Sequence, residues 1–193
     1  MSDVELAETG QIPSPRQVEL LDACYEYVLE HGLDVSLRPL ASAVGSSPRV
    51  LLYLFGSKED LLRAVMARAR RSQVEGLRTL SDATGGTPEF GTVVQTMWSW
   101  LSTPAQRPMV RLTYEAFLAS LSRSSGPWTG FAAESAQDWL DLLTRAQPEV
   151  PADLAAVRAR NALALIRGLL LDLLAGTPAD QVDAAARAWR PPN

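Results

Sequence analysis

The spacing of apolar residues constrains this chain more than any other feature. They recur three and four positions apart along nearly its whole length, and apolar/polar alternation never persists. That period winds into α-helices and leaves no segment that reads as a strand, so the expected fold class is all-α. The clearest stripe is Phe90, Val93, Val94, Met97, Trp98 and Leu101, all on one side of a helix.

Helix starts and stops are written in Ser, Pro and Gly. A first helix is expected from Pro15 to His31, with Leu20, Cys24, Tyr27 and Val28 on its apolar face and Gly32 as a left-handed stop. Ser36 reads as the cap of a short second helix, buried through Leu40, Ala41 and Val44. Pro39 is tolerated in its first turn, where backbone amides lack helical partners. Gly45 turns the chain sharply, and Ser47-Pro48 restarts it as a third helix reaching about Phe55. After Gly56, Ser57 and Asp60 resemble a capping box that opens a long helix carrying Leu61, Leu62, Val65, Met66 and Ala69.

Residues 81–88 shift to Ser, Thr, Gly and Pro, the strongest linker signal, and end in the Thr87-Pro88 start of the Phe90 helix. Beyond Pro104 and Pro108 a helix is expected to carry Val110, Tyr114, Phe117 and Leu121 on one side, broken at 122–127. Further helices are expected over about 129–146 and 152–175, and a last one after Thr177-Pro178 with Val182, Ala186 and Trp189. The expected organisation is a flexible tail at 1–13, a helix-turn-helix domain at 14–60 and a larger helical body at 61–193. The tail holds Asp3, Glu5 and Glu8 rather than a basic region before an apolar one, so it does not read as a signal peptide.

Composition narrows the chemistry. One cysteine, Cys24, and one histidine, His31, cannot build a disulfide framework or a Cys/His zinc site within one chain, so neither metal nor cofactor is expected. Cys24 falls on an apolar face and His31 at a helix end; no Gly-rich phosphate loop occurs, and enzyme activity is not expected. The apolar run at 162–175 is too short to span a bilayer and is interrupted by Arg167 and Asp172, which points to a cytoplasmic protein. Net charge is −4, yet between Ser36 and Arg71 seven basic residues face two acidic ones, a local +5. An anionic partner fits that stretch.

Two short helices meeting across a glycine turn, after a longer first helix, can lay the third along a DNA major groove. Its start presents Pro48, Arg49 and Val50. Arg49 can bond a guanine edge in bidentate fashion, worth about 1–3 kcal/mol of discrimination, and Val50 can pack on a thymine methyl. Ser36, Ser47, Tyr53 and Lys58, near helix starts, suit phosphate oxygens. Lys58 is the only lysine in the chain and sits where the helix dipole disfavours a cation, a cost that a phosphate would relieve.

These residues resemble the TetR family of regulators, through the stretch SLRPLASAVGSSPRVLLYLFGSKEDLL at residues 36–62 and, more weakly, through ALALIRGLLLDLLAGTPADQVDAAARAW towards the end. The resemblance implies a homodimeric, ligand-responsive repressor of a palindromic operator, released by a small-molecule effector. It adds Arg38 as a base contact from the second helix. The chain departs from the family where Leu52 and Leu54 stand in place of a Tyr and a His that commonly touch the DNA backbone. By the same resemblance, Met97, Trp98, Leu101, Tyr114, Phe117 and Leu121 are candidates for the effector pocket. Trp128, Trp139, Leu142, Leu143, Leu163, Ile166, Leu170 and Leu173 are candidates for the dimer interface. Arg111 and Glu115, four apart, read as a surface pair. The alternative function is a helical ligand-binding or interaction module with weak or lost DNA binding, as Leu52 and Leu54 suggest.

Overall fold

A computed structural model of the chain describes residues 14–82, 89–122 and 128–192, without the side chains of 74 and 77–82. The proposed tail, the Thr87-Pro88 start and most of the 122–127 break lie outside the described residues. Among those described there is no strand. The helices are α1 (Pro15–His31), α2 (Leu37–Ala43), α3 (Pro48–Phe55), α4 (Lys58–Asp82), α5 (Phe90–Leu101), α6 (Arg107–Ser122), α7 (Phe131–Arg145), α8 (Ala152–Leu174) and α9 (Ala179–Ala188), with a 3-10 turn at Pro104–Gln106. Packing divides the chain into two units: Met1–Arg70 with Leu112–Glu134, and Arg71–Arg111 with Ser135–Asn193.

In the first unit the ends of the helices follow local chemistry. Ser14 Oγ accepts the Gln17 amide at 3.2 Å with Pro15 behind it, and α1 closes where the Gly32 amide reaches Val28 O at 2.9 Å. Leu20, Cys24 and Val28 are its buried side, whereas Tyr27 is only half-buried and stacks on the His31 ring at 3.9 Å. Asp22 of α1 holds the Arg68 guanidinium, which lies 4.5 Å over the Tyr25 ring.

One expected cap is absent. The Ser36 side chain makes no cap hydrogen bond, because the amide three residues on belongs to Pro39, which has no N–H to give. Val35, Leu40 and Ala41 seat α2 nonetheless. At its end the Gly45 amide bonds Ser42 O at 3.2 Å and the Ser46 amide bonds Ala41 O at 2.9 Å, the paired closure that needs a left-handed residue between. Gly45 supplies it with φ +62. A Cβ there would meet nothing within 4 Å, so the constraint is conformational and not steric.

Below these helices lie the later residues of the same unit. Leu112 and Ala116 of α6 are fully buried, Glu115 Oε2 accepts the Leu33 amide at 3.4 Å, and Arg63 of α4 donates to Thr129 O at 3.2 Å and to Glu134 at 3.4 Å. The buried side of α6 therefore runs through Met109, Val110, Leu112 and Ala116, not the anticipated Val110, Tyr114, Phe117, Leu121 stripe.

The second unit packs α5 against α8 and α9, and α8 against α9. The expected α5 stripe is buried at Phe90, Val94, Met97, Trp98 and Leu101, with Val93 half-buried. Trp98 Nε1 donates to Asp183 at 2.8 Å and Gln95 Nε2 to Ala186 O at 2.6 Å, fastening α5 to α9. Gln147 is buried between α7 and α8, where its Nε2 bonds Leu143 O at 3.0 Å and Ala155 O at 3.1 Å.

Candidate nucleic-acid interface

α3 is amphipathic over only eight residues, and one anchor decides how it sits. Leu51 is 1% exposed and points into the unit. With about 100° between successive residues, Arg49 and Tyr53 then lie on the opposite side, with Val50 and Leu52 flanking them. The exposures follow that arrangement: Arg49 is exposed, Tyr53 is 86% exposed, Val50 43% and Leu52 40%. Ser47 caps the helix by accepting the Val50 amide at 3.3 Å, and Pro48 occupies its first position. At the far end Gln17 of α1 donates to Leu54 O at 3.2 Å, while the Gly56 amide closes on Leu52 O at 2.9 Å. α3 is thus pinned at both ends, with its outer face uncovered in this unit. Leu54 is half-buried, so only its carbonyl has a defined contact.

The two neighbouring starts supply polar groups. Ser57 Oγ accepts the Asp60 amide at 3.0 Å and donates to its carboxylate at 2.6 Å, so the serine caps α4 while its own amide goes to Phe55 O at 3.1 Å in place of the reciprocal bond of a capping box, and Lys58 stands, half-buried, at the first position of α4. Ser36 and Arg38 are both exposed at the start of α2, where the unengaged hydroxyl remains available to an outside acceptor or donor. Of the seven basic residues between Ser36 and Arg71, Arg63 and Arg68 are held in ion pairs with Glu134 and Asp22. Arg38, Arg49 and Lys58 form no ion pair among the described residues. The positive charge at the helix starts is therefore available to an external anion.

Residues 20–65 match the model of the N-terminal domain of bacterial regulatory proteins of the TetR family. Over these residues the chain carries a TetR-family N-terminal domain. This domain is its helix-turn-helix, and among its residues are all the candidate DNA contacts named from the sequence. No curated protein matches the chain in sequence. TetR-like architecture extends over most of it: the multidrug binding protein EbrR, solved with imidazole, is 26% identical with a TM-score of 0.66, covering 90% of this chain and 87% of that one. A transcriptional regulator from Rhodococcus sp. Rha1 is 22% identical with a TM-score of 0.65, covering 88% and 90%. A TetR transcriptional regulator from Legionella pneumophila is 18% identical with a TM-score of 0.64, covering 92% and 95%.

Elsewhere in the chain the structure separates the candidates. Met97, Trp98 and Leu101 are buried in the second unit, and Trp98 already has its hydrogen-bond partner in Asp183. Tyr114 and Phe117 are half-buried on the part of α6 in the first unit, and Leu121 is 66% exposed. Most of the interface candidates are covered within one chain. Trp139, Leu143, Leu163, Ile166, Leu170 and Leu173 are core residues of a single chain, and Leu142 is half-buried. Trp128 is half-buried against Phe131, edge to face at 5.6 Å. Side chains already withdrawn from water have little surface left to offer a partner. Among the residues that α8 leaves exposed, Val157, Asn161, Ala164, Gly168 and Leu171 form a stripe at helical spacing.

Burial pushes the Cys24 thiol up to about 11, so it stays protonated at neutral pH. His31 Nδ1 donates to Tyr27 O at 2.9 Å, a helix-end contact. Among the described residues no three Asp, Glu, His or Cys side chains gather as a metal site, and no helix is long and apolar enough to cross a membrane.

Proposed function

We propose that this chain is a cytoplasmic, ligand-responsive transcriptional repressor that binds a palindromic operator as a homodimer and is released by a small-molecule effector. One observation carries the reading: α3 is fixed by Leu51 and presents Arg49 on an uncovered face. On that face Arg49 reads a guanine edge with Pro48 and Val50 beside it, Arg38 reads a base from α2, and Ser36, Ser47, Tyr53 and Lys58 hold the phosphates. Two such helices about one DNA turn apart, roughly 34–36 Å, require a two-fold partner and a symmetric site.

The uncovered stripe of α8 is the surface we offer for that partner, in place of the buried leucines. An effector role is supported by EbrR, a multidrug binding protein solved with imidazole and with proflavin, which shares 26% of its residues with this chain. Effector and DNA would each favour a different spacing of the reader helices, and each then weakens the other.

Footprinting on the DNA flanking its own gene tests the reading. The intact protein is expected to protect a symmetric stretch and Arg49→Ala to lose protection at least tenfold, given about 1–3 kcal/mol for a bidentate guanine contact. Equal protection by both proteins removes Arg49 as the reader. An absence of any protected stretch, with turnover found in a substrate panel, would favour an enzyme instead.

A further inference from the structure

The outer face of α3 is unusual for a surface meant to meet a polyanion, because both of its flanks are apolar. Val50 is 43% exposed on one side of the Arg49–Tyr53 line and Leu52 is 40% exposed on the other. Neither covers a core, since Leu51 alone of the helix is buried. Leaving two branched aliphatic side chains in water has a cost unless something apolar covers them. Arg49 on the same face, with exposed Arg38 and half-buried Lys58 at the neighbouring helix starts of the unit, favours a cover that belongs to an anionic partner over an apolar protein groove or a lipid tail.

A DNA major groove offers one apolar group: the C5-methyl of thymine. It stands at the pyrimidine end of the base-pair edge, close to that strand's own backbone. A helix whose central line carries Arg49 and Tyr53 would therefore bring its two flanks to methyls on opposite strands. The geometry points to Leu52, together with Val50, as a specificity-determining residue that reads pyrimidine C5-methyl groups on both strands. This rests on the operator-binding reading and deepens it: the leucine standing where relatives commonly carry a backbone-contacting tyrosine is a gained base contact, not merely a lost phosphate contact.

Full-length protein first selects its own site from a random-sequence duplex pool. The enriched duplex is then remade with deoxyuridine in place of thymidine, which removes the methyls and leaves every hydrogen-bonding group. Each buried methyl is worth about fourfold in affinity, so the uracil duplex is expected to bind tenfold weaker or more across two half-sites. In the Val50→Ala, Leu52→Ala double variant, whose changes are at exposed positions, the thymine duplex weakens and the difference between the two duplexes disappears, with helical circular dichroism unchanged. Equal binding of thymine and uracil duplexes by the intact protein overturns methyl reading while leaving operator binding in place. A penalty that persists in the double variant assigns the methyls to other residues and overturns the role of Leu52. A pool that yields no enriched sequence removes this proposal together with the operator-binding reading on which it stands.

Discussion

Ser36 and Ser47 occupy equivalent places before short helices, yet only Ser47 caps. The difference is one residue: Pro39 stands where the cap would find its donor, whereas Val50 offers an N–H. Both serines read as caps in the sequence, although the signal that separates them lies only three residues away. The missing cap leaves the Ser36 hydroxyl for a phosphate. Cys24 makes a second residue-scale claim. Its thiol rises from 9.0 to about 11 on burial, and Tyr25 shifts the same way, chiefly by desolvation and then by the charge of Glu26. An acid whose folded pKa is raised holds its proton longer in the native state than in the unfolded chain, so stability falls as pH climbs from about 9 towards about 11. Urea unfolding of Cys24→Ala is expected to show a shallower loss over that range than the intact protein. Parallel pH profiles would place the alkaline loss elsewhere.

At the scale of elements, α3 depends on Leu51. Removing its side chain should destabilise the first unit by about 2–5 kcal/mol and loosen the reader helix, and denaturant midpoints together with DNA affinity measure both. Tyr53→Ala, on the exposed side, is expected to leave the midpoint within about 0.5 kcal/mol while weakening DNA binding. The starts and ends of α1 to α4 could be read from the chain because caps, prolines and positive-φ glycines act locally. The buried face of α6 could not. Its Leu112 and Ala116 are covered by residues distant in sequence, and Glu115 reaches the Leu33 amide across 82 positions, which no periodicity reports.

For the whole molecule, an apolar side chain signals burial without saying whether its own chain or a second copy provides the cover. This is why the leucines of α8 at 163, 170 and 173 read as an interface and proved to be core. The better signal was the residue that gains nothing locally. Gly168 is exposed in mid-helix with no atom within 4 Å of a Cβ built there, at a propensity cost of about 1 kcal/mol. Leu171, 51% exposed on the same side, tests its role. Leu171→Glu is expected to sediment as a monomer with unchanged helical content. A variant that remains dimeric would move the interface away from this face.

The salt dependence of binding to the footprinted duplex tests the central claim most directly. Arg38, Arg49 and Lys58 from two copies would bring six cations into the groove and against the backbone, each displacing about one condensed counterion, giving a slope of log affinity against log salt near −5. Loss of Lys58 from each copy should make that slope shallower by about 2. A slope near zero would contradict a DNA-binding regulator and favour an interaction module that keeps the architecture alone.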